Sequence, residues 1–260
     1  MAGGFRYGVV PSFSPPSVGR AVWLHARLWL RRLLHLRLLL GLAVTAVAVA
    51  SAAAARGRLS PDVPRAAMDT FESLGLPALA LFALGLGTGA LRRDADHGAL
   101  DAFLLRPRAA VALPLGRWLA STLVVTGFGY AAVALAAAAT AAFARPLAIE
   151  RIVLLVAGLP LGAAAYCAIF LAMATIGRSA AAVAVVWWLA VDFGLSRVAD
   201  GLARVSVHPA LLTVVGFDTD LSVGGDAGLA VRAAVVQLLL LTIAGLAVAL
   251  VRLRGDAPGA

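Results

Sequence analysis

Residues 152–177 read IVLLVAGLPLGAAAYCAIFLAMATIG, an unbroken run without a single formal charge. At about 1.5 Å of rise per residue, a helix of that length more than crosses a hydrocarbon core of roughly 30 Å. The run has five companions, Leu36 to Ala55, Leu74 to Leu91, Trp118 to Ala144, Ser179 to Ala199 and Leu229 to Val251. The chain as a whole is 62% hydrophobic and 13% charged, with a mean hydropathy of +0.95. Soluble domains are about 45–50% apolar and about a quarter charged, so this excess cannot be hidden in one water-soluble core. The expected fold is all-α: a polytopic membrane protein whose six transmembrane helices occupy residues 36–251.

Outward from the spans, residues 1–20 hold Gly3, Gly4, Pro11, Pro15 and Pro16 without periodicity and read as a flexible cytoplasmic tail. Over 21–35, Val22, Trp23, Leu24, Leu28, Leu30, Leu33 and Leu34 alternate with Arg27, Arg31, Arg32 and His35, the pattern of an amphipathic helix lying in the membrane interface. Arg31 and Arg32 followed by an apolar run also fit a twin-arginine signal, but five further spans argue against a cleaved leader. With the N-terminus inside, the connections on the inner side carry 14 arginines and those on the outer side 8. The positive-inside rule then places both termini, including a tail over 252–260, in the cytoplasm of a multi-pass protein of the cell's inner membrane.

All 22 basic residues are arginine. Without lysine there is no phosphate-binding P-loop, and lysine nucleophiles and Schiff bases are excluded. Any ATP-driven work therefore needs a second polypeptide. The net charge of +9 sits beside apolar spans, where arginines anchor helices to anionic headgroups, so a lipid surface is the expected partner and nucleic acid is not. Cys167 is the one cysteine and lies inside a span, so no intrachain disulfide and no cysteine-built metal site can form.

The second connection, Arg92 to Arg117, is cytoplasmic in this topology and mixes Asp94, Asp96 and Asp101 with Arg92, Arg93, Arg106, Arg108 and Arg117. Leu100, Phe103, Leu104 and Leu105 add an apolar ridge ahead of Pro107, predicting a short amphipathic helix. Such a helix either rests on lipid or docks a cytoplasmic partner.

Asp94-Ala-Asp96-His-Gly98-Ala99-Leu100, then Leu104-Leu105-Arg106-Pro107-Arg108 and Leu115-Gly116-Arg117-Trp118-Leu119, resemble the loop between the second and third spans of ABC-2 type transporter permeases. Asp94, Ala99 and Arg117 stand where that family usually has glutamate, threonine and lysine. The interfacial helix, six spans, a short fourth connection at Gly177 to Ser179 and a long fifth connection are similar to the family's plan. Within the family, the length, Val186-Trp187-Trp188-Leu189 through Asp192-Phe193, and Leu211 to Leu221 look most like the permeases of nitrous-oxide-reductase maturation clusters.

The resemblance implies a non-enzymatic permease subunit. It would work as a homodimer with a separate ABC ATPase that holds the ATP and magnesium, this chain binding no cofactor itself, and it would export a small molecule or a cofactor-maturation species. Asp94, Asp96, Gly98, Leu100, Phe103, Leu104, Arg106 and Pro107 would contact the ATPase, with Arg178 as a second contact. The fifth connection, 200–228, would face outward, where a periplasmic partner could meet it.

Asp192 is the one acidic residue clearly inside a span, at a cost of roughly 2.5–3.5 kcal/mol on insertion scales. It either faces the protein interior or the transport path, or sits near the interface paired with Arg197. Asp200, Asp218 and Asp220 suggest an alternative, a membrane-embedded metal-dependent lipid headgroup transferase, but the aspartates are not one helical turn apart as shared metal ions require. His208 with Asp218 and Asp220 could hold a metal ion on the outer face. Intramembrane proteolysis lacks a histidine base within any span. A non-catalytic membrane scaffold is the third reading. Gly85 with Gly89, and Gly158 with Gly162, permit close helix packing.

Overall fold

The computed structural model describes residues 17–33, 69–96, 107–142, 149–194, 204–216 and 227–255, with isolated positions between 41 and 55. The described residues are almost entirely helical and contain no strand. The elements are α1 (Val18–Leu33), a π-helical turn (Phe71–Gly75) opening into α2 (Leu76–Asp96), α3 (Pro107–Ala141), α4 (Ile149–Ala174), α5 (Ala180–Val186) continuing as a π-helix (Trp187–Gly194), α6 (Val207–Val214) and α7 (Ala227–Gly255). Among the described residues four segments are long and apolar enough to cross a membrane, Phe71–Leu91, Ala110–Ala141, Ile152–Ala174 and Gly228–Arg254, as befits a multi-pass membrane protein.

The helix formed by the opening stretch of sequence, α4, lies at the centre. It is apolar on every face, and such a helix has to be enclosed on several sides. Accordingly α2, α3, α5, α6 and α7 all pack on it, and Leu155, Leu159, Tyr166, Cys167, Phe170 and Leu171 are buried. Small residues let the backbones close in. A Cβ on Gly245 of α7 would stand 2.7 Å from the carbonyl carbon of Ala168, and one on Gly87 of α2 would stand 2.7 Å from Cβ of Phe170. Side chains tie α3 to α4: the Trp118 indole N–H donates to the Ala164 carbonyl at 3.0 Å and the Tyr130 hydroxyl to that of Val156 at 3.1 Å.

Of the glycine pairs noted in the sequence, Gly158 and Gly162 form a shelf on α4 that receives Leu211 and Val214 of α6 and Val215 just after it. Among the described residues a Cβ on Gly85 or Gly89 would meet nothing within 4 Å; Gly87, between them, makes the close approach instead. The turn after α4 is closed by Gly177 at φ 97°, a left-handed conformation that favours glycine.

The expected second, third, fourth and sixth spans coincide with long apolar helices, although α3 starts at Pro107, eleven residues ahead of the expected Trp118. The expected first span, Leu36 to Ala55, lies almost wholly outside the described residues. Of the fifth, Ser179 to Ala199, the described apolar part is Ala180–Asp192, shorter than a full crossing. Within the connection expected over 200–228, residues 207–214 form a helix with Val207, His208, Ala210, Leu211 and Val214 buried.

Candidate functional site

The buried polar centre of the described structure is built on Asp192, which has no solvent exposure. The π-helix Trp187–Gly194 carries it toward α4 and α6. The Tyr166 hydroxyl of α4 donates to Asp192 Oδ2 at 2.6 Å, and the backbone N–H groups of Val207 and His208 donate to Oδ1 at 2.6 and 3.0 Å. These two groups open α6, where intrahelical acceptors are missing. Ser206 precedes them in an extended conformation but makes no side-chain cap. Asp192 therefore caps α6 from a different segment of the chain.

The network continues. The Ser206 hydroxyl donates to the Val191 carbonyl at 3.4 Å, and the Gln237 amide of α7 donates to the Ser206 carbonyl at 2.9 Å. Phe170 stacks on Tyr166 at 5.8 Å and meets Trp187 edge-on at 6.0 Å, closing the apolar side. Three elements, α4, the π-helix and α6, thus meet at one carboxyl group, and α7 joins them through the Ser206 carbonyl. The arrangement joins these elements. Among the described residues no three His, Cys, Asp or Glu side chains gather where a metal ion could sit.

A second buried polar residue ties α1, α2 and α3. Arg117 of α3 is 4% exposed. Its Nη1 donates to the Ala90 carbonyl of α2, and its guanidinium lies 5.1 Å from the ring centroid of Trp29 in α1, a cation–π contact. The Trp29 indole N–H reaches Ser121 Oγ at 3.4 Å. Beside it, a Cβ on Gly116 would stand 2.7 Å from the Val22 carbonyl oxygen, so α1 lies directly on the backbone of α3. Burial, and then the charge of Arg117, hold the half-buried His25 below its ordinary pKa of 6.5. No protein-family model and no curated protein matches this chain.

The residues singled out from the sequence fall in four groups. Asp94 and Asp96 end α2 and Pro107 opens α3, where its fixed φ and missing N–H suit the first helical position. Gly98, Leu100, Phe103, Leu104 and Arg106 lie outside the described residues, as do Arg197, Asp200, Asp218 and Asp220. Arg178 is exposed in the turn between α4 and α5. The structure brings Asp192 together with Tyr166 and the start of α6. Tyr166 and Gln237 were not singled out from sequence. Each is a polar side chain within an otherwise apolar span, and that is the signal that would have found them.

Proposed function

We propose that this chain is the membrane-spanning subunit of an ABC transporter of the ABC-2 type, working as a pair and driven by a separate ATPase, with α1 lying in the membrane interface. The observation that carries the reading is the patterned connection Asp94…Gly98-Ala99-Leu100, Leu104-Leu105-Arg106-Pro107 and Gly116-Arg117. The packing at its far end supports it. Gly116 seats α1 and Arg117 binds α2 and Trp29, so a push on the connection would be passed to three helices together. Closure of the ATPase pair would in this way tilt the bundle and open a path between the two copies. The exported species would be a small molecule or a cofactor-maturation species, in line with the likeness to nitrous-oxide-reductase maturation permeases.

The test is co-purification of the full chain with its ATPase, followed by substrate-dependent ATP turnover. A buried aromatic anchor in such an interface is worth on the order of 2 kcal/mol or more. Phe103→Ala combined with Leu104→Ala should release the ATPase while the permease stays folded in the membrane. Unchanged co-purification and turnover would remove the connection from this role.

A further inference from the structure

On α1, one arc turns inward through the buried Ala26, Trp29 and Leu33. The opposite arc carries Arg20, Arg27 and Arg31 at spacings of seven and four residues, which stack on one side of a helix. All three are exposed, and among the described residues no carboxylate pairs with any of them. Trp23, Leu24 and Leu28, also exposed, flank the arginine row. Beside the row, between α1 and α3, runs a groove of about 180 Å³ lined by Trp23, Ala26, Arg27, Leu30, Ala120 and Leu123.

That volume is well under the roughly 300–1,000 Å³ of pockets that enclose whole small molecules. Its lining is apolar apart from the Arg27 guanidinium and the Trp23 indole N–H, which suits an occupant that is apolar along its length and anionic at one end. We propose that the groove holds an acyl chain of an anionic phospholipid, with the phosphate on Arg27 and with Arg20 and Arg31 extending the positive rim. Arginine suits this place because its stem lies along apolar surface while its planar head binds phosphate oxygens in pairs. A zwitterionic headgroup brings no net charge to the arginine row and binds more weakly there. The proposal requires α1 to lie at the membrane boundary and does not depend on transport or on an ATPase.

The purified full chain in detergent, titrated with dioleoyl phosphatidylglycerol or dioleoyl phosphatidylcholine and weighed by native mass spectrometry, tests it. Phosphatidylglycerol should be retained preferentially, and Arg27→Gln should weaken that retention roughly fivefold, as expected for one arginine at a lipid surface. Arg254→Gln, at an exposed arginine at the far end of α7, should leave it unchanged, and Leu123→Trp, which fills the groove, should displace the lipid. In a parallel measurement, brominated-chain phosphatidylglycerol should quench the wild-type fluorescence well beyond that of Trp23→Phe. Equal retention of the two lipids, equal effects of the Arg27 and Arg254 substitutions, or equal quenching with and without Trp23 would each overturn the proposal. So would full lipid retention in Leu123→Trp, or lipid-free self-association that this substitution abolishes, which would assign the groove to a second copy.

Discussion

Asp192 accepts three hydrogen bonds from two other elements, and this sets what each replacement should do. In Asp192→Asn the amide oxygen still receives the Val207 and His208 N–H groups, and the NH2 can donate to a reoriented Tyr166 hydroxyl. That change should cost about 1 kcal/mol, the scale of one exchanged hydrogen bond. Asp192→Ala strips the start of α6 and strands the Tyr166 hydroxyl, so the loss should reach about 3 kcal/mol, a lost cap plus an orphaned buried group. Thermal unfolding in detergent ranks them, and equal losses would deny Asp192 its capping role. The aspartate was legible in the sequence because a carboxyl inside a span is costly. Its partners were not, because two are backbone N–H groups that carry no mark in a sequence.

His25 gives a pH dependence of definite sign. Its pKa in the folded chain lies below the ordinary value, so the unfolded chain binds a proton more readily. Stability from this residue is therefore complete above pH about 6.5 and lost as the pH falls through the window between the unfolded and the folded pKa. The melting temperature of the wild type should drop more between pH 7 and pH 5 than that of His25→Gln. Parallel slopes would mean that His25 does not titrate differently on folding.

At the scale of the helix, glycines with equal sequence credentials have different neighbours. Gly127 of α3 has open space where a Cβ would be, whereas Gly245 of α7 faces the Ala168 backbone. Gly127→Ala should stabilise by about 0.5–1 kcal/mol through helix propensity. Gly245→Ala should destabilise by about 1–3 kcal/mol, because α7 has to be pushed off α4. Unfolding of the two variants under one condition checks both signs. The early start of α3 belongs to this scale as well. Arginine at 117 reads as the edge of a span, yet here the residue is enclosed by Trp29 and the Ala90 carbonyl. Charge marks a helix boundary only when water receives it, and a sequence does not say which arginines find a protein acceptor.

Across the whole molecule, run length was the readable quantity. Four of the expected spans coincide with long apolar helices, because a run of apolar residues has few alternatives in a bilayer. The helix 207–214 was not readable, since its enclosure depends on Gly158 and Gly162 on another helix and on Asp192. The arginine tally predicts sidedness, which is open to direct measurement. Cys167 is buried, so the wild type should resist a membrane-impermeant maleimide. Ser222→Cys in a Cys167→Ala background should be labelled on intact cells. Protection until lysis would reverse the assigned orientation.

Gly87 and Gly245 approach the same turn of α4, at Ala168 to Leu171, from nearly opposite sides. A one-turn slip of about 5.4 Å would replace each glycine at its contact by the residue four positions away. In one direction those residues are Ala83 and Leu241, and in the other Leu91 and Ala249. Neither fits a slot without room for a single Cβ. The trio α2, α4 and α7 is thus locked in register like meshed teeth, and whatever rearrangement this protein makes must carry the three along as one piece.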